Sequence, residues 1–176
     1  MLLTNKRYYM NKIDEIQVNK TLSIIENYLN EKQILFSTNE EEDKKVIQVG
    51  FNMEIGIVNT YFVIQSSIKI VEVFTYLPLR VPDEKKLEVS KFLDMIEQTY
   101  FMGSLQLNHE DGQIRTRSYF IYGLNEISNT LIDMHYNATF HIANSSYSEI
   151  MKICFGNQSA ESVFSESINK INVNNN

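Results

Sequence analysis

Two arginines carry the most specific chemical signal in the sequence. Arg115 and Arg117 are two positions apart on a predicted strand, so both side chains lie on the same face. Guanidinium groups placed in this way can bind a carboxylate or a phosphate through charge-assisted hydrogen bonds. The favoured interpretation is that they are satisfied by solvent and by cross-strand partners, for which Asn108 and Gln106 stand in the predicted register. The sequence leaves both interpretations open.

The histidines and the cysteine do not form a recognisable catalytic or metal-binding pattern. His135 and His141 are six positions apart on a predicted helix, whereas two metal ligands on one helix face need a spacing of about three or four. Cys154 is the one cysteine, which excludes an intrachain disulfide, and its place at the apolar end of a helix favours a buried thiol. We therefore expect no catalytic, cofactor-binding or metal-binding residue. An enzyme that uses Cys154 or a histidine remains a third hypothesis for function, after the two that are given at the end of this section.

Length and charge restrict the class of protein. The chain has 176 residues, of which 43% are hydrophobic, which suffices for one domain with a substantial core. A net charge of −6 argues against a general nucleic-acid binder, which needs a basic surface. Asn5, Lys6 and Arg7 interrupt the apolar residues at the N-terminus, which leaves no apolar run of signal-peptide length. No apolar run in the chain approaches the ~20 residues of a membrane-spanning helix. We expect a soluble cytoplasmic protein with no nucleic-acid or membrane partner.

Hydrophobic periodicity predicts one helix followed by a group of strands. After a polar lead over residues 1–12, apolar residues at helical spacing predict a helix from Asp14 to Glu31. The charged run over residues 39–45 is predicted to be an exposed loop. Short polar connections separate the strands that follow, as is typical of an antiparallel meander. The strands are predicted at residues 34–36, 46–53, 57–65 and 68–77.

The later strands of this meander carry apolar residues on both faces. Tyr61 to Ile64 is a continuous apolar run, and Val73 and Phe74 are adjacent. An antiparallel sheet with one solvated face should alternate apolar and polar residues. We therefore expect a helix or another protein chain to cover part of the second face.

A hairpin is predicted around Asp111-Gly112. This dipeptide suits a two-residue turn because both positions need positive φ, which glycine adopts freely and aspartate tolerates. That turn places Leu107 opposite Thr116 and leaves the two arginines on the other face. Tyr119 and Ile121 follow on the arginine face, so the predicted polar face ends in apolar residues.

The remaining segments complete an α+β pattern. Pro82 is predicted to begin a helix that ends near Tyr100, and Asn125 to cap a long helix that ends at Gly156. The order is α-β(4)-α-β(2)-α, with an antiparallel sheet of about five to six strands packed against helices. We predict a single domain over residues 1–158 and a C-terminal tail over residues 159–176, which can form a short helix before it becomes disordered.

The stretch from Pro82 to Gly156 resembles the YbjN family of bacterial proteins. The resemblance rests on GSLQLNHEDGQIRTRSYF, which begins at Gly103, and on a helix that opens at Asn125-Glu126-Ile127-Ser128 and closes on Ile153-Cys154-Phe155-Gly156. It implies a fold similar to that of type III secretion chaperones, which act as homodimers that hold extended segments of a client. It implies no enzymatic activity.

Two hypotheses for function follow. The first is a non-enzymatic protein-interaction module, a chaperone, adaptor or regulatory protein, that forms a homodimer and can hold a protein client. Its predicted interaction surface comprises Tyr61, Val63, Arg115, Arg117, Tyr119 and Ile121. The alternative is a small-ligand sensor with a pocket between the sheet and the long helix, lined by Tyr119, Tyr122 and His135.

Overall fold

Six strands and four helices form the part of the chain that the computed structural model describes, residues 2–41, 44–53, 56–123 and 126–174. Their order confirms the predicted α+β class and the succession of one helix, four strands, one helix, two strands and a long helix. A 3₁₀ turn, Asp83–Lys85, precedes the second helix. The elements are α1 (Leu2–Glu31), β1 (Phe36–Glu41), β2 (Lys44–Met53), β3 (Gly56–Gln65), β4 (Ile70–Arg80), α2 (Lys86–Glu97), β5 (Ser104–Leu107), β6 (Gln113–Ile121), α3 (Asn129–Phe155) and α4 (Ala160–Asn174).

All strand pairs in the sheet are antiparallel, and the strand order is β1-β2-β3-β4-β6-β5. The first four strands form the predicted meander. The hairpin of β5 and β6 joins it through its second strand, so that Thr75 of β4 lies opposite Thr116 of β6. As a result β6 lies inside the sheet, and β5, with four residues, is the edge strand on this side, while β1 is the other edge.

The helices pack on one face of this sheet. Along β6 the buried side chains alternate with half-buried or exposed ones, as expected for a strand with one covered face. Near α1, Val18, Ile25 and Leu29 join Ile47 and Phe62 in a first core cluster. A second core cluster joins α2, α3 and α4 to the other end of the sheet, and it includes Leu77, Phe92, Ile114, Ile153 and Val163.

Buried threonines connect the sheet to α3. Thr60, Thr75 and Thr139 are fully buried, and their hydroxyl groups form a chain in which Thr60 lies 2.6 Å from Thr75 and Thr75 donates to Thr139 at 3.2 Å. Thr139 donates to the backbone oxygen of Tyr136 at 2.8 Å, within the same helix. Each hydroxyl therefore has a partner, which removes the cost of burying it.

The register of the hairpin differs from the prediction. Leu107 lies opposite Ile114 instead of Thr116, a shift of two residues. The cause is a longer loop, since the backbone nitrogen of Asn108 donates to Gln113 at 2.9 Å across four loop residues, 109–112. Because side chains alternate with a period of two, a shift of two leaves every side chain on its predicted face.

Side chains inside the hairpin loop explain its length. The carboxylate of Asp111 accepts a hydrogen bond from the backbone nitrogen of Gln113 at 3.0 Å, and the side chain of Asn108 accepts one from Glu110 at 2.9 Å. These local bonds stabilise the wider turn in place of the two-residue one. Gly112 has φ +73°, and a Cβ there would lie 2.4 Å from the backbone oxygen of Val81, so this position requires glycine.

Several element boundaries also differ from the predictions. The helix α1 begins at Leu2, within the segment expected to be a polar lead. Part of the charged run, through Glu41, belongs to β1, where Glu40 forms an ion pair with Lys45 of β2; Glu42 and Asp43 lie outside the described residues. Asn125 also lies outside them, and the side chain of Ser128 caps α3 by accepting from Leu131 at 3.2 Å.

The C-terminal helix α4 packs against the rest of the chain. Ala160 and Val163 are fully buried in the second core cluster. The carboxylate of Glu88 on α2 accepts a hydrogen bond from the backbone nitrogen of Ala160 at 2.8 Å, which satisfies one free donor at the start of α4. The division of the chain at residues 158 and 159 stays a prediction.

Candidate functional site

The sheet face opposite the helices carries its own group of aromatic and charged side chains. These residues alternate along β3, β4 and β6 with those of the core, and none of them belongs to either core cluster. We call this surface the open face and define it by Tyr61, Val63, Glu72, Phe74, Tyr76, Arg115, Arg117, Tyr119 and Ile121.

All the residues of the predicted interaction surface lie on the open face. Val63 and Tyr119 occupy one cross-strand row with Glu72 between them, and Tyr61 and Arg117 occupy the next row with Phe74 between them. Tyr119 and Ile121 are each 55% exposed, at the end of β6. The structure thus brings together residues that are up to sixty positions apart in the sequence.

The sequence-based prediction missed the contribution of β4 to this face. Phe74 stacks on Tyr61 with ring centroids 5.4 Å apart, and Tyr76 meets both rings edge-on at 5.5 and 5.8 Å. Burial, followed by the neighbouring Tyr76, raises the pKa of Tyr61. The alternation along β4, in which Glu72, Phe74 and Tyr76 share one face, was the available signal.

The two arginines differ in their partners. Arg117 forms an ion pair with Glu72, to which its Nε also donates at 2.9 Å, and it lies over the Tyr119 ring at 5.5 Å. Arg115 donates from Nε to the side-chain oxygen of Gln106 at 2.9 Å and lies over the Phe74 ring at 5.2 Å. Among the described residues, no ion pair includes Arg115. Its charge is therefore held in place but not neutralised.

The residues predicted to line a ligand pocket do not share one cavity. Tyr119 and His135 line an edge cavity of about 270 Å³. Tyr122 lies on the covered face, where its hydroxyl donates to the backbone oxygen of Gln65 at 3.1 Å, and it lines a separate cavity of about 240 Å³. His135 is bonded through Nδ1 to the hydroxyl of Ser118 at 2.7 Å, and burial lowers its pKa, which favours the neutral ring.

The remaining candidate residues have local partners. Cys154 is 5% exposed in the second core cluster, and burial raises the pKa of its thiol. His109 lies in the hairpin loop, where its Nε2 is 3.2 Å from the hydroxyl of Ser90. Within the described parts of the chain, no group of histidine, cysteine and carboxylate side chains could hold a metal ion. In the same parts, no helix has the length and apolar content needed to cross a membrane.

Comparisons with known proteins show likeness in structure but not in sequence. No family model and no curated protein sequence matches the chain. A chain in the crystal structure of the ExsC–ExsE complex matches with a TM-score of 0.51 and 8% identity, over 78% of this chain and 92% of that one. An uncharacterized protein from Methanothermobacter thermautotrophicus matches with a TM-score of 0.53 and 11% identity, over 75% of this chain and 97% of that one.

YbjN from E. coli is also among the structural neighbours, with a TM-score of 0.49 and 6% identity, over 72% of this chain and 91% of that one. The matches to the ExsC–ExsE chain and to the Methanothermobacter protein establish the fold, and identities this low establish no shared activity. The chain therefore has the α+β fold predicted from its sequence, an antiparallel sheet packed against helices like that in the ExsC–ExsE structure.

Proposed function

We propose that this protein is a non-enzymatic protein-interaction module, a chaperone, adaptor or regulatory protein, that acts in the cytoplasm as a homodimer. The open face is the observation that supports the proposal. It places stacked aromatic rings and two arginines outside both core clusters. Aromatic residues and arginine are the types enriched at the centres of protein interfaces.

The size of the open face favours a second copy of the chain as its occupant. Six strands at a spacing of ~4.8 Å give a width of about 24 Å. A ten-residue strand such as β3 is about 33 Å long, so the whole side of the sheet that contains the open face covers at most about 800 Å². This area is close to the ~800 Å² that each partner buries in a stable interface. Two such faces can pack as the sheets of a β-sandwich do.

The partners we propose are a second copy of the chain and a protein client, without nucleic acid or membrane. The ExsC–ExsE structure shows that a protein of this fold is found in a complex with another protein. The net charge of −6 supports the exclusion of nucleic acid. A ligand sensor of the kind predicted is less favoured, since Tyr119 and Tyr122 lie on opposite sides of the sheet.

Charge substitutions on the open face test the proposal. Tyr119→Glu combined with Ile121→Glu puts two carboxylates on the open face. The fold should tolerate both substitutions, because the side chains they replace are each 55% exposed. Light scattering after gel filtration should show a dimer for the original chain and a monomer for this variant. The matched control is Leu87→Glu on α2, where Leu87 is 72% exposed on the helical side, and this variant should stay dimeric. A control variant that also dissociates, or a double variant that stays dimeric, would overturn the assignment of the interface.

A further inference from the structure

A polar cavity opens at one end of the open face, beside the edge strand β5. Its volume is about 390 Å³, and its lining includes Tyr76, Gln106, Asp111, Gln113 and Arg115. At the opposite end of the same face the cross-strand rows contain Val63, Tyr119 and Ile121, and the charge of Glu72 in these rows is paired with Arg117. The open face is therefore asymmetric, with an apolar end and a polar end, and each end suits a different chemical group.

Two contacts fix the orientation of the Arg115 guanidinium in this cavity. The Phe74 ring lies against it at 5.2 Å, and Nε is occupied by the side-chain oxygen of Gln106 at 2.9 Å. The remaining donors of the planar fork are the two terminal nitrogens, Nη1 and Nη2, at its outer end. A carboxylate can accept from both in an end-on bidentate pair, with little loss of side-chain entropy because the fork is already oriented.

The charges around the cavity favour a group with a single negative charge. The neighbouring Arg117 is neutralised by Glu72, and the Asp111 carboxylate in the cavity lining is 3.2 Å from Nη1 of Arg80. Arg115 is thus one cation without an ion-pair partner among the described residues, next to an anion that is already paired. A phosphate dianion would need a second cation, whereas Arg115 is the one cation among the described residues that line the cavity.

We propose that this cavity binds the side-chain carboxylate of an aspartate or glutamate in a partner protein. The adjacent rings of Tyr76 and Phe74 offer an apolar surface to a hydrophobic residue next to that acid, so the site takes an acidic-apolar pair. The proposal rests on the proposed function, since it specifies the chemistry of a protein partner that reaches the polar end of the open face.

Binding of two dipeptides, followed by nuclear magnetic resonance, tests this site. The probes are acetyl-Phe-Glu-amide and its neutral counterpart acetyl-Phe-Gln-amide. The chain has four arginines, so single Arg→Lys variants assign each Nε–H signal. The Arg115 signal should shift saturably with the glutamate dipeptide, and the glutamine dipeptide should bind at least ~10-fold more weakly, since charge-assisted hydrogen bonds are the stronger ones. The Arg117 signal should not follow the same titration.

Variants complete the test. Arg115→Lys should weaken binding of the glutamate dipeptide at least ~10-fold, because lysine keeps the charge but lacks the stacked planar fork. Lys91→Ala removes an exposed cation of α2, on the helical side of the sheet, and should leave the affinity unchanged. Equal affinity for the two dipeptides, or an unaffected Arg115→Lys variant, would overturn the proposal. Equally tight binding of sodium acetate would do so as well, since it would assign the site to free carboxylates.

The same samples separate this proposal from the proposed function. Translational diffusion reports whether the chain is a monomer or a dimer during each titration. A monomer that binds the glutamate dipeptide through Arg115 supports the carboxylate site and contradicts the homodimer. If the original chain is a dimer and its Arg115 signal does not respond, the titration is repeated with the Tyr119→Glu/Ile121→Glu variant, in which a second copy should not cover the open face. No response of Arg115 in that variant contradicts the carboxylate site and leaves the homodimer standing.

Discussion

The buried hydroxyl groups of Thr60, Thr75 and Thr139 form a chain of hydrogen bonds between the sheet and α3. The direction of each bond decides how much each threonine substitution should change the free energy of unfolding. Thr75 has one hydroxyl proton, and it donates this proton to Thr139, so the 2.6 Å contact with Thr60 must be a bond that Thr60 donates. Thr60→Val therefore removes the first donor of the chain and leaves no other hydrogen without a partner. Thr75→Val removes the middle member and leaves the Thr60 hydroxyl buried and unpaired.

The expected free energies follow from these partners. Thr60→Val loses one neutral hydrogen bond, about 1 kcal/mol of net stability. Thr75→Val loses two bonds and leaves a buried donor unsatisfied, about 3 kcal/mol in all. In the double variant Thr60→Val/Thr75→Val the unpaired donor is gone, so it should be more stable than Thr75→Val alone by about 1 kcal/mol.

Urea unfolding at one fixed protein concentration measures all three variants, since association would otherwise change the apparent stability. In thermal unfolding, a loss of about 3 kcal/mol in a chain of this length should lower the Tm of Thr75→Val by about 6–12 °C. The control is Thr130→Val at an exposed position of α3, which should stay within about 0.5 kcal/mol of the original chain. Additive effects, with the double variant the least stable of the three, would refute the assigned direction of the hydrogen bonds.

Three further predictions concern single residues. Gly112→Ala should destabilise the fold by at least ~2 kcal/mol in urea unfolding, because a Cβ would lie 2.4 Å from the Val81 oxygen at a positive φ; an unchanged midpoint would contradict it. The hydrogen bond from Tyr28, followed by the contact with Lys32, lowers the pKa of Asp133 in the folded state. Its contribution is therefore present above the unfolded pKa of about 3.9 and is lost as the pH falls through the lower folded value. The unfolding midpoint of Asp133→Asn should accordingly change less between pH 7 and pH 3 than that of the original chain, and an identical change would count against the bond. Cys154, 5% exposed with a raised thiol pKa, should react with a thiol reagent at least ~100-fold faster in urea than in the folded state; rapid reaction in the native protein would show that the thiol is accessible.

Local sequence patterns were sufficient to predict the element types and the faces of the strands. The alternation along β6 placed Arg115 and Arg117 on one face and Phe120 on the other, and the structure agrees. The predicted faces are correct although the predicted turn is not, because a shift of two residues preserves the alternation. The two-residue turn was predicted wrongly because Asp-Gly fits more than one type of loop, and the hydrogen bonds of Asn108 and Asp111 select the longer one.

Other features depend on contacts between distant segments and leave no local pattern. No local pattern in the hairpin sequence predicts that β4 pairs with β6 and not with β5. The beginning of α1 was missed because Asn5, Lys6 and Arg7 interrupt its apolar residues, which leaves no continuous apolar stripe from which a helix could be predicted. The different roles of the arginines could not be predicted either, since Glu72, which neutralises Arg117, lies 45 positions away on another strand.

The most direct test of the homodimer through the open face is sedimentation equilibrium of the original chain over a range of concentrations. One chain has a mass of 20.6 kDa. We predict a species of twice that mass at micromolar concentrations, and the variant Tyr119→Glu/Ile121→Glu should sediment with the mass of a single chain. A chain that sediments as a monomer throughout the micromolar range would contradict the central claim.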